Sequence, residues 1–229
     1  PVPRPRSPRL WALNRCAVSG SRALGATGKG PKQYQMLAGQ PMVKHTLDAF
    51  AAVSALSGAL VVVAPGDEFL KSDNAPYALA ACGGATRAAS VLNGLDHLLT
   101  LGAHADDWVL VHDAARCLVT PAQITRLIAA CRDDAVGGLL ALPLPDTLKR
   151  EVQGRVGATV ERSDKWLAQS PQLFRIGELG QARAQAGHHV PEASRATQAL
   201  PLAPPPAQAS PQPRHAPCAY ELATAGTLA

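Results

Sequence analysis

The sequence predicts a layered α/β fold with a parallel, Rossmann-like sheet flanked by helices. Short apolar runs alternate along the chain with segments whose apolar residues recur at helical spacing, the order that builds parallel sheets. Several runs are apolar at every position, as expected for strands covered on both faces. With 229 residues, 47% hydrophobic and 17% charged, the chain suits one large core and is too short for two full domains.

The first half of the chain supplies three strands and two helices. In order, the predicted elements are the strand RLWALNRCAV, the Gly-rich loop SGSRALGATGKGPKQY, the helix PMVKHTLDAFAAV, the strand GALVVVAPG, the short strand YALAACGG and a helix over residues 88–99. The strands are apolar at nearly every position, whereas the helices show the longer apolar period. Proline begins the first helix, where its missing N–H is not needed, and Pro-Gly ends the second strand.

The second half continues this alternation and then interrupts it. WVLV at residues 108–111 is a predicted buried strand, TPAQITRLIAAC a helix capped by Thr120 with Pro121 first, and GGLLALPL another strand. The polar segment 143–166 alternates weakly in two halves joined by QGR, which predicts a two-stranded β-arm. Such an arm is marginal in water unless a second subunit covers it. RIGELGQARAQAG predicts a last helix.

The two ends of the chain differ in composition from the domain predicted at residues 10–200. Residues 1–9 form a basic, Pro-rich tail, and residues 201–217 contain seven prolines in 17 positions without any periodicity. Within the C-terminal tail, 201–229, this Pro-rich stretch is therefore predicted to be disordered or PPII-like, and the closing CAYELATAGTLA is expected to form at most a short helix.

Charge, cysteine usage and hydropathy limit the class of protein. The net charge of +5 suits a phosphorylated small molecule, whereas the only dense basic cluster is the short start PVPRPRSPR, so no nucleic-acid partner is expected. Five widely spaced cysteines without a CxxC pair favour a reduced, cytoplasmic protein over a disulfide framework. No apolar run reaches the roughly 18 residues of a membrane-spanning helix, so no membrane partner is expected.

Charged side chains follow the strand WVLV. His112, Asp113 and Arg116 are predicted just past its carboxyl end, the edge at which open α/β sheets bind ligands. Two interpretations stay open from this stretch alone: a ligand site, or a turn in which Asp113 is a cap that pairs with Arg116 at the surface. His112 has no nucleophile or metal pattern around it and is expected to be structural or exposed.

Two Gly-containing segments are further candidates. In the loop 19–32, backbone N–H groups can approach a triphosphate while Arg22 and Lys32 neutralise its charge, yet the loop matches neither a P-loop nor GxGxxG. A solvated loop is the alternative. In CGGATRAASVLNGL, Gly84 permits an unusual backbone path and Ser90 faces the same turn, which suits binding of a base or ribose. An ordinary strand-to-helix turn is equally compatible.

Six segments, in the same order, resemble the motifs of the bacterial 2-C-methyl-D-erythritol 4-phosphate cytidylyltransferases. They are GSRA, GPKQYQMLAGQPM, CGGATRAASVLNGL, WVLVHDAAR, LPLPDTLKR and WLAQSPQLFR, and the resemblance runs from Leu10 to Ser194. It implies a Rossmann-like nucleotidyltransferase that forms a homodimer through its β-arm. It also implies CTP and methylerythritol phosphate as substrates, Mg²⁺ as cofactor, and CDP-methylerythritol and pyrophosphate as products, in isoprenoid biosynthesis.

The resemblance also assigns roles to residues. Arg22 and Lys32 would be catalytic, because this reaction depends on positioning and charge neutralisation more than on proton transfer. The implied nucleotide-binding residues are Ala17, Gly20, Ser21, Gly84, Arg87 and Ser90. The implied polyol-phosphate residues are Asp113, Arg116, Thr147, Ser170 and, from the arm of the other subunit, Arg162. By itself, Thr147 is also compatible with an ordinary strand-edge threonine.

Several positions depart from the family pattern. Arg15 and Val18 stand where the family has Pro and Gly, Ala85 where an acid is common, and Cys117 where Pro usually follows HDAAR. Pro191 replaces an acid, and the tail holds no equivalent of a lysine that contributes to the family's site. These departures raise the expectation of impaired catalysis, and the tail raises the hypothesis of a reading-frame change or a divergent paralogue.

The predicted function is therefore transfer of CMP from CTP to methylerythritol phosphate. The enzymatic alternative is a cytidylyltransferase for another polyol phosphate, such as ribitol phosphate. A catalytically impaired nucleotide-binding homologue on the same fold is the non-catalytic alternative.

Overall fold

A computed structural model of the chain describes residues 6–17, 30–72 and 74–186. The strands in this part are β1 (Leu10–Arg15), β2 (Met36–Leu37), β3 (Gln40–Pro41), β4 (Gly58–Val62), β5 (Ala78–Ala80), β6 (Trp108–Asp113), β7 (Gly137–Pro143), β8 (Leu148–Val152), β9 (Arg155–Val160) and β10 (Trp166–Arg175). The helices are a 3₁₀ turn (Lys32–Tyr34), α1 (Met42–Ala51), α2 (Arg87–Thr100), α3 (Pro121–Cys131) and α4 (Ile176–Ala186).

Six strands form the central sheet in the order β5-β4-β1-β6-β10-β7. The first four are parallel to one another, whereas β10 runs antiparallel to both of its neighbours. The α/β fold class, with helices around a mixed sheet, is thus the one predicted, and the expectation of an all-parallel sheet is wrong by one strand. In the register of β1 with β6, Arg15 lies opposite Asp113.

Helices cover both faces of the sheet. On one face, Leu13 packs in a cluster with Leu95 of α2, and α4 lies beside α2. On the other face, Leu110 packs with Phe50 of α1 and Ile124 of α3. Removing each such leucine from water contributes about 2 kcal/mol to folding, so these two layers hold the strands at fixed positions. The rigid sheet then fixes the loops at its carboxyl edge.

Side-chain caps begin two of the helices as their sequences indicate. The hydroxyl of Thr120 accepts the N–H of Gln123 at 3.3 Å, and the side chain of Gln123 accepts the N–H of Thr120 at 2.9 Å. Pro121 follows as the first helical residue, which confirms the predicted start of α3. Thr86 caps α2 in the same way, since its hydroxyl accepts the N–H of Ala89 at 3.0 Å.

Strand β10 was not predicted from the sequence. Its centre contains Ser170 and Pro171, and proline is usually excluded from central strands because it has no N–H for the ladder. The structure accommodates it where pairing with β7 is interrupted, between Ala168 and Gln172. This strand inserts between β6 and β7, and it brings Ser170 beside the end of β6.

Smaller differences concern element ends. Strand β6 continues through Asp113, so His112 is a buried strand residue and not part of the following loop. Pro41 was expected to be the first residue of α1. In the structure it belongs to β3 and immediately precedes that helix. The short β2–β3 hairpin and the 3₁₀ turn lie in segments for which no element was predicted.

An antiparallel hairpin of β8 and β9 lies within the predicted arm at 143–166. Gln153 and Gly154 form its turn, both with positive φ, of 52° and 76°, the backbone of a two-residue hairpin turn. Val152 and Val156 are 50% and 69% exposed. The hairpin therefore displays apolar side chains to solvent.

Membrane-length helices and disulfides are both absent from the described part of the chain. None of its helices is long and apolar enough to cross a bilayer. None of its four cysteines, Cys16, Cys82, Cys117 and Cys131, forms a disulfide. The predictions for the 201–229 tail fall outside the described residues.

Candidate functional site

A carboxylate and three arginines meet at the carboxyl ends of two parallel strands. Asp113 ends β6, and Arg15 ends the neighbouring β1. Arg87 reaches the same carboxylate from the first residue of α2, and Arg116 from the turn after β6. Because parallel strands end at one edge of a sheet, segments far apart in the sequence converge there. We call Arg15, Arg87, Asp113 and Arg116 the Asp113 cluster.

The two oxygens of the Asp113 carboxylate have different partners. Oδ1 accepts hydrogen bonds from Nε of Arg15 at 3.0 Å and from Nε of Arg87 at 3.1 Å, and Nη2 of Arg15 also lies 3.0 Å away. Oδ2 faces Nε of Arg116 at 3.5 Å. The Asp113 side chain keeps 18% of its surface exposed, so the carboxylate is accessible to a ligand.

The Asp113 cluster has an excess of positive charge. Three guanidiniums around one carboxylate give the four side chains a net charge of +2. Burial alone raises the pKa of the Asp113 carboxyl, but Arg87 and Arg15 hold this pKa below its ordinary value, so the group is ionised at neutral pH. Arginine stays protonated even when partly buried. The cluster therefore favours an anionic ligand, and phosphate oxygens match guanidinium geometry.

The surface-turn interpretation of Arg116 is correct in part. Its N–H donates to the carbonyl oxygen of Asp113 at 2.8 Å, which closes a turn, and the two side chains form the expected ion pair. Nη1 of Arg116 also donates to Oε1 of Gln169 at 2.6 Å. However, Arg15 and Arg87 bind the same carboxylate from other elements, so the pair is one part of a larger cluster.

His112 and Ser170 support the end of β6 from inside the fold. Nε2 of His112 lies 3.1 Å from the carbonyl oxygen of Arg116, and because a carbonyl only accepts, Nε2 carries the ring proton. Nδ1 then accepts the hydroxyl of Ser170 at 3.1 Å. Burial lowers the pKa of His112 to about 4, so the ring is neutral at pH 7. His112 is structural, as predicted, and Ser170 is buried; contact between Ser170 and substrate stays a prediction.

The turn before α2 is closed by its own hydrogen bonds. The N–H of Gly84 donates to Oγ of Ser90 at 3.0 Å, and that hydroxyl donates to the carbonyl of Thr86 at 3.0 Å. A Cβ on Gly83 would lie 2.3 Å from the Cβ of Ala17, so the end of the first strand segment packs directly on this turn. The glycines thus permit close packing. Nucleotide contact by Gly84, Ser90 or Ala17 stays a prediction.

Lys32 lies at the end of the Gly-rich loop and is exposed. Its neighbour Gln33 is buried and donates to the carbonyl oxygen of Cys16 at 2.8 Å, which ties this loop end to the end of β1. Burial raises the pKa of the Cys117 thiol, and Lys32 opposes that rise. Through its neighbour Gln33, Lys32 lies beside the carboxyl end of β1, at the sheet edge that also carries the Asp113 cluster.

Several predicted site residues are not brought into the cluster. Gly20, Ser21 and Arg22, together with Val18, lie outside the described residues. Thr147 and Arg162 are exposed and flank the open end of the β8–β9 hairpin, opposite its turn, and within the described chain neither bonds to the Asp113 cluster. Their roles stay predictions.

Two residues of the site were not assigned from the sequence. Arg15 lies near the end of the first predicted strand, and the shared edge of parallel strands was a signal for its position beside Asp113. Gln169 gave no signal, because it belongs to β10, which was not predicted. Arg87 was expected to bind nucleotide; its Nε donates to Asp113, and its contact with nucleotide stays a prediction.

The donor set does not form a protein cage for a metal. The described residues contain no group of three or more His, Cys, Asp or Glu side chains placed to hold an ion. Asp113 is the one carboxylate of the cluster, and arginines occupy it. Mg²⁺ commonly takes one or two carboxylates together with substrate phosphates, so this edge fits a metal carried largely by a phosphorylated substrate.

Sequence comparisons agree with this geometry. The profile of the IspD family, 2-C-methyl-D-erythritol 4-phosphate cytidylyltransferase, matches residues 12–200. A protein of Albidiferax ferrireducens described as bifunctional enzyme IspD/IspF is 63% identical over 86% of this chain, which spans 47% of that relative. The 2-C-methyl-D-erythritol 4-phosphate cytidylyltransferase of Paraburkholderia phymatum is 51% identical, and the match covers 79% of both chains.

Solved structures show the same architecture. A crystal structure of 4-diphosphocytidyl-2C-methyl-D-erythritol synthase matches with a TM-score of 0.71 and 36% identity, over 84% of this chain and 85% of the other. These values confirm the predicted Rossmann-like fold of a nucleotidyltransferase.

Proposed function

The chain belongs to the 2-C-methyl-D-erythritol 4-phosphate cytidylyltransferase family, and from this premise we propose that it transfers CMP from CTP to 2-C-methyl-D-erythritol 4-phosphate. A phosphate oxygen of the polyol phosphate attacks the α-phosphorus of CTP. A new P–O bond forms, the bond to the β-phosphate breaks, and the products are CDP-methylerythritol and pyrophosphate. The product serves isoprenoid biosynthesis by the non-mevalonate route.

The Asp113 cluster is the observation that carries this proposal. It combines a carboxylate, which accepts hydrogen bonds from polyol hydroxyls, with a net charge of +2 that attracts a phosphate. Its place at the carboxyl edge of the sheet is where such folds bind ligands. Asp113 and Arg116 therefore hold the polyol phosphate, while His112 and Ser170 keep the strand end in place behind them.

The nucleotide occupies the adjoining turn and loop. Ala17 packs on Gly83, so the loop of Gly20 and Ser21 begins beside the turn that holds Gly84 and Ser90. This contact supports a CTP site in which the turn binds cytidine and the loop binds the triphosphate.

Charge neutralisation supplies most of the catalysis. Arg22 and Lys32 stabilise the pentacoordinate α-phosphate and the departing pyrophosphate, and preorganised cations are effective at such developing charge. Bound Mg²⁺ would neutralise the triphosphate and help orient it for in-line attack. Arg87 joins the two subsites, because it begins the helix that follows the cytidine turn and its guanidinium contacts Asp113.

The β8–β9 hairpin makes the enzyme a homodimer. Val152, Val156 and Leu167 are large apolar side chains exposed on and beside the hairpin, and a second subunit that covers them removes this surface from water. In that arrangement Arg162 of one subunit reaches the phosphate bound by the other, and Thr147 lines the same pocket. Sedimentation of the V152K/V156K variant tests the dimer: monomers are expected, and a dimer as stable as the wild type contradicts it.

The protein is assigned to the cytoplasm on the basis of its thiols. Cys16 and Cys131 are buried and form no disulfide within the described residues, and unoxidised cysteines persist in a reducing compartment. Fractionation of cells that express a tagged chain tests this assignment.

The expectation of an impaired copy finds no support in the comparisons, in which relatives named 2-C-methyl-D-erythritol 4-phosphate cytidylyltransferase are 47–51% identical to the chain. Arg15 replaces the family's proline without loss of the Asp113 cluster, of which it is a member. Activity is therefore expected, and ribitol phosphate is the substrate against which to test specificity.

Pyrophosphate release tests the proposed function. Purified protein is mixed with CTP, Mg²⁺ and one of methylerythritol phosphate, ribitol phosphate or no acceptor. Release that needs methylerythritol phosphate and stops on chelation of the metal is expected. Release with ribitol phosphate alone would reassign the substrate, and the absence of any release by a folded dimer would contradict the activity.

A further inference from the structure

We propose that Arg15 is a positioning residue that fixes the Asp113 carboxylate by filling Oδ1, so that Oδ2 is the oxygen presented to a hydroxyl of the polyol phosphate. The proposal rests on the proposed function, because it concerns how the same pocket recognises its acceptor substrate. No role was assigned to Arg15 from the sequence.

The donors around the carboxylate are distributed unequally. Arg15 places two nitrogens, Nε and Nη2, each 3.0 Å from Oδ1, and Arg87 adds Nε at 3.1 Å. An oxygen with these three N–H groups around it has no acceptor capacity left for a substrate. Oδ2 faces Nε of Arg116 at 3.5 Å, which is an ion-pair distance and too long for a strong hydrogen bond. Oδ2 therefore retains acceptor capacity.

Arg15 has the most buried side chain of the three arginines in the cluster. Its side chain is 13% exposed, compared with 31% for Arg87 and 46% for Arg116. Nη1 of Arg15 donates to the carbonyl oxygen of Ala17 at 2.6 Å, so both ends of the guanidinium are held. A guanidinium fixed at both ends is a rigid support for the carboxylate that it contacts.

Fixing the carboxylate has a direct consequence for binding. The terminal torsion of an aspartate is broad, so an unsupported carboxylate exchanges its two oxygens and must be ordered when the substrate binds. The Nε–H hydrogen bond and the Nη2 ion-pair contact of Arg15 on one oxygen restrict this freedom before the substrate arrives, and preorganised groups bind more tightly. Arg15 therefore acts through Asp113 on the affinity for the polyol phosphate.

The test compares Arg15→Gln with the matched control Arg132→Gln, which removes an exposed arginine just after α3, away from the cluster. In Arg15→Gln, KM for methylerythritol phosphate is expected to rise about tenfold, the usual effect of losing a charge-assisted hydrogen bond. KM for CTP is expected to change by less than about threefold. In Arg132→Gln both constants stay at wild-type values.

A double-variant cycle separates positioning from a merely structural role. If Arg15 acts through Asp113, then Arg15→Gln costs little further affinity in the Asp113→Asn background, because the carboxylate that it orients is already gone. Arg15→Lys restores a donor to Oδ1 and is expected to recover part of the loss. Calorimetric titration with methylerythritol phosphate gives the same comparison without turnover.

The outcomes are distinguishable. Equal rises of both KM values in Arg15→Gln, or full additivity with Asp113→Asn, overturn the positioning role while the wild type still turns over. A wild-type chain that neither binds nor converts methylerythritol phosphate overturns the proposed function and this inference with it.

Discussion

The two ends of strand β6 each carry an aspartate surrounded by arginines, and the two sites differ in their access to solvent. Before the strand, the Asp107 side chain is completely buried and accepts hydrogen bonds from Arg6, from the N–H groups of Arg9 and His104, and from the indole of Trp11. After it, Asp113 is 18% exposed and has acceptor capacity left on Oδ2.

The comparison teaches that an Asp–Arg contact does not by itself define a site. At Asp107 both oxygens are filled by the chain's own donors, two of them backbone N–H groups, so no ligand can enter. At Asp113 the donors leave the cluster positive and one oxygen accessible. The contacts at the amino end of β6 are structural, whereas its carboxyl end is the proposed binding site.

The largest effect is expected from Asp113→Asn. The change removes the acceptor for the polyol hydroxyl and leaves three arginines without their carboxylate, so kcat/KM for methylerythritol phosphate is expected to fall about 10²- to 10³-fold. Steady-state pyrophosphate release measures it. The thermal midpoint is expected to fall less than in Asp107→Asn, because the Asp113 side chain is 18% exposed whereas that of Asp107 is completely buried.

Asp107→Asn is expected to reverse that pattern. An amide cannot accept all the donors that now face the carboxylate, and breaking such a buried arrangement costs about 3 kcal/mol of unfolding free energy. Urea unfolding measures the loss, and turnover well below the unfolding midpoint is expected to stay near wild type. If Asp107→Asn were as stable as the wild type but had lost turnover, the two ends of β6 would not differ in function as described.

The pH dependence of this loss has a definite sign. Burial raises the pKa of the Asp107 carboxyl, but hydrogen bonds from Arg9, Arg6 and His104 outweigh burial and hold it far below its ordinary value. Below about pH 4 the unfolded chain therefore takes up a proton at this carboxyl, while the folded chain does not. The free energy of unfolding consequently decreases as the pH decreases. The difference between wild type and Asp107→Asn is expected to shrink below about pH 4.

His112, inside the same strand, is expected to give a smaller effect on stability. Its pKa is lowered by burial to about 4 in the folded protein, so between about pH 6.5 and pH 4 only the unfolded chain is protonated there. From pH 7 to pH 5 this linkage removes about 2 kcal/mol of unfolding free energy. His112→Asn is expected to flatten that part of the urea-unfolding pH profile, and an unchanged slope would contradict the neutral ring.

Thr120→Ala is expected to change the free energy of unfolding least of these variants. It shows how far a small loss of stability by itself affects turnover. It removes one half of the capping box of α3, which costs about 1 kcal/mol. Turnover is expected to be unaffected, because the cap is remote from the Asp113 cluster. A loss of activity here would mean that modest destabilisation alone disturbs the site, and the interpretation of Asp113→Asn would need that correction.

Local patterns were sufficient to predict most elements of the fold. Apolar runs marked β1, β4, β6 and β7, and the Thr120 cap marked the start of α3, because burial and capping act over a few residues. Strand β10 escaped because polar residues and Pro171 interrupt it, and only its pairing with two neighbours makes it a strand.

The sequence allowed some residues of the candidate site to be named, but not the contacts between them. The turn after WVLV indicated Asp113 and Arg116, but the contacts of Arg15 and Arg87 with Asp113 depend on strand register and helix placement, which no local pattern encodes. The hydroxyl of Ser90 was expected to face a ligand, and its bonds within the turn follow from the tight backbone at Gly84.

The most direct measurement of the central claim is pyrophosphate release against methylerythritol phosphate concentration at saturating CTP, for the wild type and Asp113→Asn in parallel. Saturable, metal-dependent release by the wild type, with a loss of about 10²-fold or more in the folded variant, is the predicted result. Equal release by the two proteins, or none by a folded wild type, would contradict the assignment of the carboxyl end of β6 as the polyol-phosphate site.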